Sequence, residues 1–144
     1  MMADGGFAIG YHQSPLTGDD FEVMARRFSA NGDAKANEFQ MNTYTESFQQ
    51  YVRITAGPAG FFAVWQSRGQ DGSGFGVYGR SFDAVFGEDT QEFMLSETGE
   101  GFQEYAAVAA GGDGRFVVVW HQMDSYGNFE IKSRVHMPPV APSL

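Results

Sequence analysis

A self-similarity with a period of 54 residues runs through this chain and limits the folds open to it. Displacing the sequence by 54 residues lays Gly6-Phe7 on Gly60-Phe61, Phe21 on Phe75, Val23 on Val77 and Arg26 on Arg80. Phe28 falls on Phe82, Ala30 on Ala84 and Glu38-Phe39 on Glu92-Phe93. Glu46, Phe48, Gln49 and Tyr51 fall on Glu100, Phe102, Gln103 and Tyr105. A third, incomplete copy follows, in which Phe129, Ile131 and Arg134 match Phe75, Val77 and Arg80 after a loop shortened by one residue. Matches in register over a whole period, most of them apolar, mark tandem copies of one supersecondary unit. The units run over about 6–59 and 60–114, with a partial unit at 115–137 and a tail at 138–144, all in one repeat-built domain.

Each period reads as four short strands. The first is GFAIGYHQ at 6–13, repeated as GFFAVWQS at 60–67 and RFVVVWHQ at 115–122. Phe/Val/Trp-rich runs bounded by Gly or Asp are the usual marks of a strand. In the third copy Phe116, Val118 and Trp120 alternate with Val117 and Val119, so both faces are apolar and the strand is expected between two layers. The second strand carries Phe21, Val23 and Ala25, then FGVYGRSFDA at 75–84, then FEIKSRVH at 129–136. The third is EFQMNT at 38–43 and EFMLSE at 92–97; the fourth is QYVRITA at 50–56 and EYAAVAA at 104–110. Asn31-Gly32-Asp33, Gly57-Pro58, Asp71-Gly72-Ser73-Gly74 and Gly111-Gly112-Asp113-Gly114 supply the turns. No stretch sustains a 3.6-residue period. The chain is expected to be all-β.

Antiparallel four-stranded units with doubly apolar sheets predict β-propeller-like blades, because a blade packs on neighbours through both faces. A β-sandwich is the alternative. About two and a half blades leave open faces and edges. The expected partners are therefore other repeats or copies of the chain itself. Matched alternation predicts Phe61, Ala63, Trp65, Phe116, Val118 and Trp120 to be interior.

The run GFFAVWQS, then QDGSGFGVYGRSFDA, then EFMLSE resembles repeats of large bacterial secreted or cell-surface proteins. Residues 60–84 carry the likeness best, EFQMNTYT at 38–45 adds the third strand of the first copy, and nearly the whole chain is covered. Residues 6–20 depart from the pattern, since SPLTGDD replaces the Asp-Gly-Ser-Gly loop, and 123–128 hold only MDSYGN. The resemblance implies an extracellular or surface location and an adhesion or scaffold role.

Composition removes several chemistries. There is no cysteine, hence no disulfide framework, thiolate metal site or cysteine nucleophile. A net charge of -9 makes nucleic acid an improbable partner, because the field repels phosphate. No apolar run reaches the roughly 18–20 residues of a membrane helix. The opening MMADGGFAIG shows no basic segment followed by a long apolar one, so no signal peptide is visible.

Four sets of residues are chemical candidates. Gly74-Phe75-Gly76-Val77-Tyr78-Gly79 matches G-x-G-x-x-G, but its glycines run into a strand and not a helix, so a dinucleotide site is not expected. Asp19, Asp20, Asp71 and Asp124 lie in acidic Gly-rich loops that could offer oxygens to calcium, the candidate cofactor; the competing reading is a turn aspartate capping its own backbone. Tyr11, Trp65 and Trp120 share one repeat position, followed by His12, Gln66 and His121. They make a sugar-stacking platform or, by their alternation with Phe and Val, inter-blade core, which is the preferred reading. Arg26, Arg80 and Arg134 recur and are expected to pair with Glu or Asp of adjacent strands.

Catalytic signatures are missing: the histidines form no HExxH, there is no GxSxG, and no carboxylate pair stands out among 18 acids. The expected function is a noncatalytic structural or binding module, not an enzyme. A calcium-assisted, lectin-like glycan-binding domain is the alternative, with a glycan-active enzyme further behind.

Overall fold

The computed structural model of the protein describes residues 2, 4–14, 20–57, 60–83, 91–97 and 101–137. Ten strands follow in order: β1 (Phe7–Gln13), β2 (Glu22–Phe28), β3 (Phe39–Gln40), β4 (Gln49–Gly57), β5 (Gly60–Arg68), β6 (Phe75–Asp83), β7 (Phe93–Met94), β8 (Gln103–Ala110), β9 (Phe116–Met123) and β10 (Phe129–His136). No helix occurs among the described residues, and Gly76 and Gly79 of the G-x-G-x-x-G match lie within β6. Pro58, Asp19 and the expected tail at 138–144 lie outside the described residues.

The strands form three antiparallel sheets, ordered β1-β2-β3, β4-β5-β6-β7 and β8-β9-β10. The second and third sheets thus join the fourth strand of one sequence period to the strands that open the next. Residues matched by the repeat play matching parts. Tyr11, Trp65 and Trp120 pair with Met24, Tyr78 and Lys132 respectively.

The third strands are only two residues long because a side chain takes over the ladder. Val23 N donates to Asn42 Oδ1 at 2.9 Å, and at the matching place Val77 N donates to Ser96 Oγ at 3.0 Å. In return Met41 N donates to Val23 O and Leu95 N to Val77 O, both at 2.8 Å. These bonds hold each outer edge with little regular strand.

Packing is sheet on sheet in series. Ala8, Val23, Ala25 and Met41 of the first sheet meet Phe61, Ala63, Trp65, Tyr78 and Phe82 of the second. The opposite face of that second sheet, with Phe62, Val64, Val77 and Leu95, meets Ala106, Phe116, Val118 and Trp120 of the third. Every residue of β5 from Gly60 to Ser67 is buried. A two-sheet sandwich does not bury one strand on both faces, whereas a stack of three sheets does so in its middle member. All six residues expected to be interior are buried. Gly79 makes close packing feasible here: a Cβ on it would stand 2.8 Å from the Phe62 ring and from Leu95 Cδ1.

One expectation needs correction. Val117 and Val119 are exposed, not sandwiched, since among the described residues no sheet follows that of β9 and it is the Phe116/Val118/Trp120 face that packs on a neighbour. Two of the recurrent arginines reach backbone carbonyls of the preceding sheet: Arg80 Nη1 donates to Met41 O at 3.2 Å, and Arg134 Nη1 to Leu95 O at 2.8 Å. Met41 and Leu95 are themselves 54 apart, so the same clasp closes both sheet junctions. Arg26, on the first sheet, turns to its own side and donates Nε to Ala36 O at 3.1 Å.

His136 sits at the second junction, its ring centroid 5.0 Å from Phe62 and 4.6 Å from Phe93. Burial, helped by the charge of Arg134, pushes its imidazolium below the usual histidine range. The folded protein therefore binds fewer protons at this site than the unfolded chain does, and stability present at neutral pH is lost as pH falls from about 6.5 towards the lowered folded value. The melting temperature of the native protein should drop more between about pH 7 and 5 than that of His136→Phe. Equal drops in paired thermal melts would contradict this.

Candidate functional site

The sheets converge along β4 and β8, which lie side by side, with β1 against the other flank of β4. Here the inner strands carry a matched irregularity. Pairing of β4 with β5 shifts register between Gln50 and Arg53, and pairing of β8 with β9 shifts between Glu104 and Ala107. Inside these bulges Tyr51 and Tyr105 adopt φ of 56° and 53°. Holding a non-glycine residue in the left-handed region costs on the order of 1–3 kcal/mol and persists where the surroundings enforce it. Gln66 Oε1 does part of that work by accepting the Tyr105 amide at 3.2 Å.

The bulges aim both rings away from the core into a row that crosses all three sheets. Successive centroid separations are Phe21–His12 5.5 Å, His12–Tyr51 5.8 Å, Tyr51–Tyr105 5.5 Å, Tyr105–His121 4.9 Å and His121–Phe129 5.1 Å. His12, Tyr51, Tyr105 and Phe129 are exposed, and Phe21 and His121 half-buried. Glu104 Oε2 lies 3.5 Å from His121 Nε2, placing an acceptor at the edge of the row. Exposed ring faces flanked by a carboxylate can stack an apolar face and bond hydroxyls at its rim.

Of the residues expected to form a stacking platform, His12 and His121 belong to this row, but Trp65 is fully buried and Trp120 nearly so. Their ring faces are covered by the neighbouring sheet, as the core reading expects. Tyr11 is half-buried on the outer side of the first sheet, and its hydroxyl donates to Glu38. The sequence signal for the row was the Tyr51/Tyr105 match, legible as repetition but not as exposure.

The acidic loops are occupied by their own backbone. Asp71 Oδ1 accepts from Ser73 N at 2.9 Å. Asp124 Oδ1 accepts from Tyr126 N and Asn128 N, each at 2.8 Å, and Asn128 Nδ2 donates to Oδ2 at 3.1 Å. These donors, chiefly the Asn128 amide, hold the Asp124 carboxyl below the usual range. Asp20 is exposed, and among the described residues no three acidic or histidine side chains group as for a metal ion. Two clefts between sheets are small. One of about 90 Å³ is lined by Trp120, Lys132 and Arg134, and one of about 80 Å³ by Met2, Phe7 and Phe61. Small-molecule pockets are usually 300–1,000 Å³, larger than either of these two clefts.

The chain matches no protein-family model and no curated protein. Among solved structures it is similar to the endo-arabinase from Bacteroides thetaiotaomicron VPI-5482, a β-propeller fold, with a TM-score of 0.61 and 10% identity. The match covers 92% of this chain and 52% of that one, so the chain spans about half the length of its structural neighbour. The sheets are propeller-like blades. At this identity the likeness shows the fold alone, and the three sheets are called blades 1, 2 and 3 below.

Proposed function

We propose that the chain is a noncatalytic binding module of a bacterial extracellular or surface protein, and that its ligand is a glycan held on the aromatic row. The observation that carries this reading is the pair of tyrosines, 54 residues apart, each exposed and each held at positive φ by a bulge. Strain repeated at exposed rings is better accounted for by a contact surface than by packing. The recurrent polar groups elsewhere, Arg80, Arg134, Asn42 and Ser96, bond to backbone between or within blades, which supports an architectural role for them. The name endo-arabinase belongs to a sugar-acting enzyme, and that agrees with a glycan ligand without carrying activity across. The extracellular placement rests on the resemblance to bacterial surface repeats.

A glycan array followed by titration tests the reading, with melts after chelation and after calcium addition. Expected are saturable binding, its loss in Tyr51→Ala and Tyr105→Ala, and no calcium-dependent melting shift. A ligand at a hundredfold excess over its dissociation constant would stabilise the native protein by about 2.7 kcal/mol. Binding that survives both tyrosine substitutions, or no binding to any glycan, would refute the row. A calcium-dependent melting shift abolished by Asp71→Ala would replace it with the calcium-assisted alternative.

A further inference from the structure

The blade junctions repeat one contact, and the chain carries both halves of a third. At the first junction blade 1 offers a trailing face and blade 2 covers it with a leading face built on Phe61, Ala63 and Trp65. At the second, blade 2 offers Phe62, Val64, Val77 and Leu95, and blade 3 covers them with Phe116, Val118 and Trp120. Blade 3 has a trailing face of the same make. Strand pairing sets Val117 opposite Val135, Val119 opposite Ser133 and His121 opposite Ile131, on one side of the sheet. By the repeat, Ile131 stands where Val77 stands in blade 2, and Val117 and Val119 where Phe62 and Val64 stand. Val77 is 0% exposed and Ile131 77%; Phe62 is 0% exposed and Val117 43%. Positions buried at one junction are thus apolar and open at the other.

The complementary half is on blade 1. Its leading face pairs Phe7 with Phe28 and Ile9 with Arg26, matching Phe61 with Phe82 and Ala63 with Arg80 in blade 2. The Phe7 and Phe28 rings stack at 5.2 Å, as Phe61 and Phe82 do at 4.8 Å, while Ile9 is exposed. The geometry points to a head-to-tail contact in which the trailing face of blade 3 takes the leading face of blade 1 from a second copy of this chain. The occupant follows from continuity, since the new junction would repeat the two already present within the chain. Contacts of this heterologous kind close when two copies satisfy each other's faces. The contact does not require the aromatic row to bind a glycan, although His121 belongs to both surfaces.

Sedimentation of the full chain from micromolar to millimolar concentration tests it, with Val119→Glu for the trailing face and Ile9→Glu for the leading face. Both side chains are exposed, so folding should survive, and far-UV circular dichroism checks that. The native chain should self-associate, and each variant alone should need about tenfold higher concentration or more, because a carboxylate would have to be desolvated in an apolar contact. Mixing the two variants should restore a one-to-one complex, since one intact junction can form between them. A native chain monomeric throughout would overturn the proposal. So would Ile9→Glu associating as well as the native chain, which would indicate trailing face on trailing face, or a mixture that stays monomeric.

Discussion

Trp65→Ala should lower stability by about 3–5 kcal/mol, the usual loss when a fully buried large aromatic is truncated in a core that relaxes only partly. Trp65 is fully buried where blade 2 meets blade 1, beside Val23, Met41, Val52 and Tyr78. For a chain of this length the loss corresponds to a melting temperature lower by roughly 10–15 °C. The same truncation at Tyr11, the equivalent position on the half-buried leading face of blade 1, should cost only about 1 kcal/mol. Thermal or urea unfolding of the two variants measures both. Similar losses at the two positions would mean that the junction is not what buries Trp65.

Arg80→Ala should cost about 2–4 kcal/mol, combining a cavity with the loss of a donor to a buried carbonyl. Its guanidinium spans the first junction to Met41 O and lies 5.4 Å from the Phe82 ring centroid. Arg26→Ala removes the same side chain from the equivalent place in blade 1, where among the described residues it donates to Ala36 O of its own β2–β3 loop and lies 5.9 Å from the Phe28 ring centroid, with no bond across a junction. That loss should stay near 0.5 kcal/mol, typical of surface substitutions. Urea midpoints at unchanged m-value read the difference directly. If Arg26→Ala were as damaging as Arg80→Ala, the clasp across blades would not be the source of the effect.

Most strands, and the inner faces of β5 and β9, were legible because period-2 alternation and turn residues are local properties. β10 occupies the run expected at 129–136, and Phe116, Val118 and Trp120 are interior as their alternation indicates. What local pattern cannot carry is which blade stands last. Val117 and Val119 have the apolar character of sandwiched residues, yet their face is open because no described blade follows. The sheet boundaries were hidden for a related reason: a 54-residue period has no intrinsic starting point, and only pairing shows that β4 belongs with β5. The third strands look like six-residue strands in sequence, but Asn42 and Ser96 replace part of the ladder with side-chain bonds.

The candidate site was half legible. His12 and His121 were singled out, but for their place beside Tyr11 and Trp120; their ring neighbours in the row are Tyr51 and Tyr105. Those tyrosines are invisible as site residues in sequence because their exposure depends on a bulge and a positive φ that no motif announces. Charge reasoning, which seeks acids, did not anticipate the backbone carbonyls at the ends of β3 and β7 that Arg80 and Arg134 also reach.

The central claim is that blade 2 is buried on both faces by its neighbours. Paramagnetic solvent relaxation of side-chain protons along β5, read by NMR, tests it most directly. The account expects Phe61, Ala63 and Trp65 on one face, and Phe62 and Val64 on the other, to be equally shielded from a soluble relaxation agent. Alternating relaxation, with one of these two sets enhanced like a solvent-facing strand, would contradict it.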